Sequence, residues 1–456
     1  MGHGAEGPPA TSGRRTRSSV SHPLDGRPID LSYQLTAMIT VAAIARIRRV
    51  GVSGGIDMDR AFNAPRTGLR RLRSTFFAIG LAAGIGGLMH SASAETRAKP
   101  FDAWPKSDVM KTMSLAEAKA IVAARTGPQT EWKGPTSGPQ AATDAVTVVY
   151  VSADQSYVSF VNWGRGVTEA AEALGWKAVT LNGKGTVTGT LAAMQQAVAM
   201  KPAAIVTSAD ASALQGPIKQ AVDAGIPVIG IHSAAFPGPD PESNLYMNIG
   251  SDPVEIGAAQ AAYVIAKSEG KARLLHFLDN SFAIARLKAQ AATEPVKNCE
   301  GCKFLEMINI PIADQTKRIP SVISGVIANY GDDWWGTTCC DNFYPYIASA
   351  LRASGVSPSK VRLVGADGPP SAYDMIRKGE YEVATVPEPS TLFGYQAIDS
   401  VVRAMAGQEP AKFVQPVYLV TRENVDKEGG DKNEFIPSNG FACHYMNVWR
   451  GKKNAC

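Results

Sequence analysis

Three short apolar runs end abruptly in seven polar side chains able to grip a ligand. The runs read VTVVYVSADQSY (146–157), PAAIVTSADA (202–211) and PVIGIHS (227–233). They deliver Asp154, Gln155, Tyr157, Ser208, Asp210, His232 and Ser233. This mixture of carboxylates, imidazole, amide and hydroxyls suits a molecule that both donates and accepts hydrogen bonds. Covalent catalysis would need a nucleophile paired with a base. Beyond residue 94 neither G-x-S-x-G nor H-E-x-x-H occurs.

The elements that must position these side chains follow from the runs themselves. Apolar residues without polar alternation mark strands covered on both faces, as in a parallel sheet flanked by crossover helices. In such sheets ligands bind outside the carboxyl ends of the strands, where the seven side chains lie. Strands are predicted over 146–152, 178–181, 203–207 and 227–232, separated by helices over 158–174, 191–200 and 213–224. After a helix over 253–267, a second set of strands covers 272–277, 303–308, 334–339, 362–365 and 381–386. Its helices cover 283–294, 319–329, 345–353 and 372–378, and a last helix covers 392–406. Two consecutive β/α sets predict an α/β protein of two doubly wound parallel-sheet lobes.

Charge is unevenly distributed. Residues 1–94 hold 12 Arg, no Lys and 5 acidic residues, leaving 34 basic against 36 acidic residues for 95–456. The basic excess is confined to the leader, so no nucleic-acid partner is expected. Arg66, Arg70, Arg71 and Arg73 precede an apolar stretch over 76–89 and then Ala92-Ser93-Ala94, the layout of a secretory signal peptide over 58–94 cleaved after Ala94. Arg70-Arg71 hints at a twin-arginine signal, but Leu72 and Arg73 fit it poorly. Residues 1–57 read as a non-native or disordered extension, with Met58 as the natural start. Residues 95–145 read as an arm packed on the body. Ser114 and Glu117 form a capping box for a short helix, Gly-Pro pairs follow, and Phe101, Trp104 and Trp132 are too apolar for a free tail.

All six cysteines lie beyond the leader, at Cys299, Cys302, Cys339, Cys340, Cys443 and Cys456. Export favours disulfides. Six cysteines allow 15 complete pairings, and proximity suggests Cys299–Cys302, Cys339–Cys340 and Cys443–Cys456. Cys302 leads into an apolar strand rather than a helix, which disfavours a thioredoxin-type redox site. His232, His276 and His444 are too scattered for a zinc site, so no metal and no cofactor is expected.

With these elements in order, the chain resembles the periplasmic sugar-binding proteins of the ribose type, which serve ABC importers and share the type I periplasmic binding fold. The resemblance spans about 146–425 and rests on GVTEAAEALGW, AIVTSAD, AVDAGIPVIGI, GSDPVEIGAAQAAYVI, VGADG, KGEYEVATVPEP and PVYLVTRENV taken together. It implies a ligand cleft between lobes joined by three hinge crossovers, near Gly250–Asp252, Glu388 and Gln415–Val417. The lobes would comprise 146–250 plus 389–415, and 251–388 plus 416–456, the latter ending in a tail. It also implies a site of Asp154, Tyr157, Asp210 and His232 from the first lobe. Arg286, Asp341, Asn342 and Asp367 would come from the second, with Glu388 at a hinge. Trp335 is a candidate for an apolar sugar face. Asp154 and Asp210 have a rival role as helix caps.

The expected protein is therefore a monomeric periplasmic receptor, not an enzyme. It would close by hinge motion on a sugar or sugar-like small molecule and deliver it to an ABC permease and its ATPase. Presentation of the ligand to a chemoreceptor or sensor kinase is the alternative. The lac repressor's regulatory domain shares the fold, but residues 95–145 hold no helix-turn-helix. Three departures from the ribose pattern bear on the ligand. His232 replaces a carboxylate, Glu388 replaces an amide and could favour an amine, and WWGTTCCDNF adds two Trp and a Cys pair.

Overall fold

Residues 111–452 are described by the structure, a computed structural model. The extension, the signal segment, the cleavage site, Phe101, Trp104 and Cys456 lie outside the described residues. The first described helix is α1 (Leu115–Arg125). It opens with the expected capping box: the Ser114 N–H donates to Glu117 Oε2 at 2.8 Å, and the Glu117 N–H to Ser114 Oγ at 3.2 Å.

The first lobe is a six-stranded sheet of order β2-β1-β3-β4-β6-β5. Its strands are β1 (Thr147–Ser152), β2 (Lys177–Asn182), β3 (Ala204–Thr207), β4 (Val228–Ile231), β5 (Gly238–Asp240) and β6 (Leu245–Ile249). Helices α2 (Val158–Ala173), α3 (Val187–Ala199) and α4 (Gln215–Asp223) cross over between strands. The short pair β5 and β6 escapes the sequence pattern, because β5 is a three-residue Gly-Pro-Asp edge strand without an apolar signature. It is antiparallel to β6, while the inner pairs are parallel.

After α5 (Pro253–Lys267) the second sheet repeats the plan, in the order β12-β11-β10-β9-β7-β8. It comprises β7 (Arg273–Leu278), β8 (Lys303–Asn309), β9 (Trp334–Thr338), β10 (Val361–Asp367), β11 (Glu382–Pro387) and the antiparallel β12 (Val420–Thr421). Its helices are α6 (Ala283–Lys297), α7 (Gln315–Tyr330), α8 (Tyr344–Ala353) and α9 (Pro370–Lys378). The two doubly wound lobes expected from the sequence are thus present. In each, the strand order reverses beside the first strand, between β1 and β3 and between β7 and β9, where side chains at strand ends meet a crevice.

Helix α10 (Ser390–Met405) returns to the first lobe, where Leu392, Phe393, Ile398 and Val401 join the core of Val148, Tyr150 and Ile229. It touches α2 backbone to backbone: a Cβ on Gly394 would stand 2.0 Å from the Gly166 carbonyl carbon. Only a glycine pair allows that approach.

Three crossings between the lobes were expected; the chain makes five among the described residues. Residues 416–456, expected as the end of the C-terminal lobe and a tail, divide. Tyr418, Val425 and Phe435 pack on Tyr373 and Ile376 of α9. Helix α11 (Phe441–Arg450) instead buries Phe441, Tyr445, Val448 and Trp449 in the first-lobe core. The Trp449 indole donates to Asp399 at 3.0 Å, and Asp399 also pairs with Arg403 at 2.7 Å. The arm makes the fifth crossing. Met113 and Ala118 share a core with Ile256 and Ala259 of α5, and the Leu419 N–H donates to Arg125 O at 2.9 Å. Seven residues further, Trp132 stacks on His444 at 5.1 Å and tilts against Phe413 at 5.1 Å. Residues 125–132 therefore run alongside the 413–419 crossing in the opposite direction and tie both lobes. Truncating a buried Trp costs about 3–5 kcal/mol. For half-buried Trp132, Trp132→Ala should cost about 2 kcal/mol and lower the melting temperature by roughly 5 °C, as read by thermal denaturation.

Candidate functional site

The carboxyl ends of both sheets converge on a buried polar cluster. Tyr157 precedes α2, and His232 follows β4 with a left-handed φ of 55°. Lys288 projects from the second turn of α6, Asp367 ends β10 and Glu388 follows β11. Asp367 also has a left-handed φ, 83°, followed by Gly368 at 65°. A Cβ at Gly368 would stand 2.3 Å from Pro387 Cβ, so the turn that aims Asp367 depends on glycine. Such backbone at a non-glycine residue stores about 1–3 kcal/mol, offset by surrounding contacts.

Lys288 lies at the centre. Its ammonium is 2.8 Å from Asp367 Oδ1 and 3.6 Å from Glu388 Oε1, and donates to Cys339 O at 3.4 Å. Two contacts cross from the first lobe: the Tyr157 hydroxyl donates to Asp367 Oδ2 at 3.3 Å, and His232 Nε2 is 3.4 Å from Glu388 Oε1. The lobes therefore meet across the cleft. Ser251, in the Gly250–Asp252 crossing, donates to Glu388 Oε2 at 2.5 Å. An aromatic wall runs Tyr157, Phe160, Trp163, His232, Phe393, with successive ring centroids 4.7, 5.3, 4.8 and 5.8 Å apart.

Charge states follow from burial and pairing. Burial works against the Lys288 ammonium, but Asp367 and Glu388 outweigh it and hold the amine above its usual range. Burial, then the Lys288 charge, depresses His232 to about 3, leaving a neutral imidazole. Burial raises Tyr157 well above its usual range, so its hydroxyl stays a donor. Burial also raises Glu388, against the pull of Lys288 and Ser251.

The expected residues divide on this geometry. Tyr157, His232, Asp367 and Glu388 come together. Arg286 does not: it is exposed and donates to Asn280 O at 2.6 Å. Two residues advance an α-helix by about 200°, so Lys288 takes the inward position. The signal for it was present, since Lys288 interrupts the apolar face of Ala285, Ala289 and Ala292. Asp154 and Asp210 turn into their own loops, accepting from Ser156 N–H and Ser212 N–H at 2.8 Å each. Trp335 lies near the start of β9, away from the strand ends. It packs edge-on against Tyr263 beneath the Arg362 guanidinium. Asn342 donates to Gln315 at 2.7 Å.

Asp341 sits one layer behind Asp367. Its Oδ2 accepts from Thr385 Oγ1 at 2.5 Å and from the Gly368 N–H at 3.3 Å. Burial, then the charge of Asp367, raises Asp341 to about 7, and burial and Asp341 push Glu382 well up. Both fully buried carboxyls are thereby biased toward the protonated form. An acid whose folded pKa is raised binds more protons folded than unfolded, so its contribution to stability falls as pH rises from about 4 to 7. Asp341→Asn should flatten that decline, and melting curves of both proteins from pH 4 to 8 provide the check.

The cysteines partly follow proximity. Cys299 and Cys302 form a disulfide. Cys443 is disulfide-bonded as well, its expected partner Cys456 lying outside the described residues. Cys339 and Cys340 depart from expectation. Both are free buried thiols with sulfurs 3.2 Å apart, against about 2.05 Å for a bond. Among the described residues no group of three or more His, Cys, Asp or Glu is placed to hold a metal ion. No helix among them is long and apolar enough to cross a membrane.

Comparison with known proteins agrees with this architecture. A family model described as a periplasmic binding protein domain matches residues 146–409, more than half of the chain. No curated protein matches the sequence. Among solved structures, a solute-binding protein from Agrobacterium vitis bound to α-D-tagatopyranose is 18% identical, with a TM-score of 0.57 over 64% of this chain and 99% of its own. A periplasmic ribose ABC transporter protein from Conexibacter woesei is 22% identical, with a TM-score of 0.55 over 64% and 96%. The arabinose-binding component from Shewanella sp. ANA-3 is 17% identical, with a TM-score of 0.56 over 63% and 95%. At these identities the likeness is one of fold.

Proposed function

The chain belongs to the periplasmic binding protein domain family, and from that premise we propose that it is the solute receptor of an ABC importer. It acts in the periplasm as a monomer, binds a sugar-like polar small molecule between its lobes, and delivers it unchanged to a permease driven by its ATPase. The observation that carries this reading is the cluster of Tyr157 and His232 from one lobe with Lys288, Asp367 and Glu388 from the other, buried where both sheets end.

Sugar hydroxyls donate and accept at once, matching carboxylates, an ammonium and a neutral imidazole. Hydrogen bonds to charged groups contribute roughly 1.5–3 kcal/mol each, so a few of them together with aromatic stacking reach micromolar affinity, about −8 kcal/mol. The wall of Tyr157, Phe160 and Trp163 offers rings to the apolar face of a pyranose or furanose. Hinge motion at the crossings would admit and release the solute.

A thermal-shift screen of sugars and polyols tests the reading. A ligand at 100 times its Kd adds about 2.7 kcal/mol of stability. Deleting the gene should abolish uptake of the ligand so found, and the ligand should be recovered unaltered from the purified protein. Unchanged uptake, or turnover, would sink the proposal.

A further inference from the structure

We propose that the cleft is built for a ligand carrying a protonated amine beside its hydroxyls, as an amino sugar or amino polyol does. This deepens the solute-binding reading and rests on it.

The argument starts from unequal pairing. Two carboxylates, Asp367 and Glu388, face one ammonium, Lys288. Asp367 takes it at 2.8 Å and also receives the Tyr157 hydroxyl. Glu388 is left 3.6 Å from the ammonium, and only its Oε2 has a donor, the Ser251 hydroxyl. Glu388 Oε1 is buried with no hydrogen bond, and so is His232 Nε2, 3.4 Å away. Their side chains are 1% and 8% exposed. Buried polar atoms are otherwise almost always partnered, so an adjacent orphan pair at the meeting of the lobes points to a group the ligand supplies. Asp341 Oδ1, a layer behind, is orphaned too.

Three ligand groups can be compared at that spot. A carboxylate or phosphate would set acceptors against Glu388 and Asp367. A hydroxyl donates one proton, so it meets both orphans only when the imidazole proton is on Nε2, and it brings no charge for the second carboxylate. An ammonium has three: one reaches Glu388 Oε1, and a second reaches the His232 Nε2 lone pair when the imidazole proton is on Nδ1. It also supplies the positive charge the second carboxylate lacks.

The test uses matched triples on the purified protein at pH 6.5: glucose, glucosamine and glucuronate; galactose, galactosamine and galacturonate; sorbitol, glucamine and gluconate. Affinities come from calorimetry after a thermal-shift ranking. In each triple that binds, the amine member should bind at least ten-fold tighter than its hydroxyl counterpart, and the acid weakest. Glu388→Gln should bring the amine-to-hydroxyl ratio toward one. A hydroxyl or acid member binding as tightly as the amine overturns the amine inference and leaves the solute-binding reading standing. No response to any member overturns both. The wild-type ranking decides the matter even where Glu388→Gln fails to fold.

Discussion

Lys288→Met should lower the melting temperature by roughly 10 °C and remove ligand binding. The ammonium is fully buried between Asp367 and Glu388, and removing one partner of a buried ion pair costs about 3–5 kcal/mol. At 2–4 °C per kcal/mol for a domain of 150–250 residues, that gives the drop. The loss should also depend on pH. Burial already raises Glu388, and Lys288 is the first influence holding it down. Without Lys288 the folded pKa of Glu388 rises further, so the folded protein retains a proton that the unfolded chain releases. The variant's deficit therefore grows as pH rises above the usual carboxylate range. Melting curves of both proteins between pH 5 and 8 measure it. A deficit under 1 kcal/mol at every pH would remove Lys288 from the centre of the site.

Asp367→Asn should weaken ligand affinity about 100-fold or more while changing stability less than Lys288→Met does. Asn tolerates the left-handed backbone at this position, so the turn survives and only the charge is lost. Two contacts to a carboxylate become contacts to an amide, and charge-assisted bonds contribute roughly 1.5–3 kcal/mol each against 0.5–1.5 for neutral ones. Titration calorimetry with the strongest ligand from the screen reads the change. Affinity within three-fold of wild type would mean that Asp367 stabilises the closed lobes without touching the ligand.

The fold was largely legible because parallel strands covered on both faces leave an unbroken apolar signature. Val148–Val151, Ile205–Val206 and Val364 show it. What was missed had no such signature: β5 is an edge strand of Gly-Pro-Asp. Helix α11 buries its aromatic residues against α10 and the distant strands of the first lobe, which local pattern cannot assign. The arm's second tie, Trp132 on Phe413 and His444, is long-range in the same way.

Site residues were legible where a strand end fixes them. His232 follows β4 and is read from the end of its apolar run, whereas Asp367, which ends β10, and Glu388, which follows β11, are implied by the resemblance. On helices, rotation decides. Arg286 and Lys288 are two residues apart on opposite faces of α6, and the inward one was marked by its apolar neighbours rather than by its charge. Asp154 and Asp210 are also at strand ends, yet each has a backbone N–H two residues on to cap, the competing pull of short polar side chains. Trp335 lies at the wrong end of its strand.

The most direct measurement is a crystal structure grown with the compound that gives the largest thermal shift. The compound should lie between the lobes, with polar atoms within hydrogen-bond distance of Asp367 and Lys288 and its apolar face toward Tyr157 or Trp163. A compound bound elsewhere, or a cleft that stays unliganded at saturating concentration, would contradict the assignment of this cluster as the solute site.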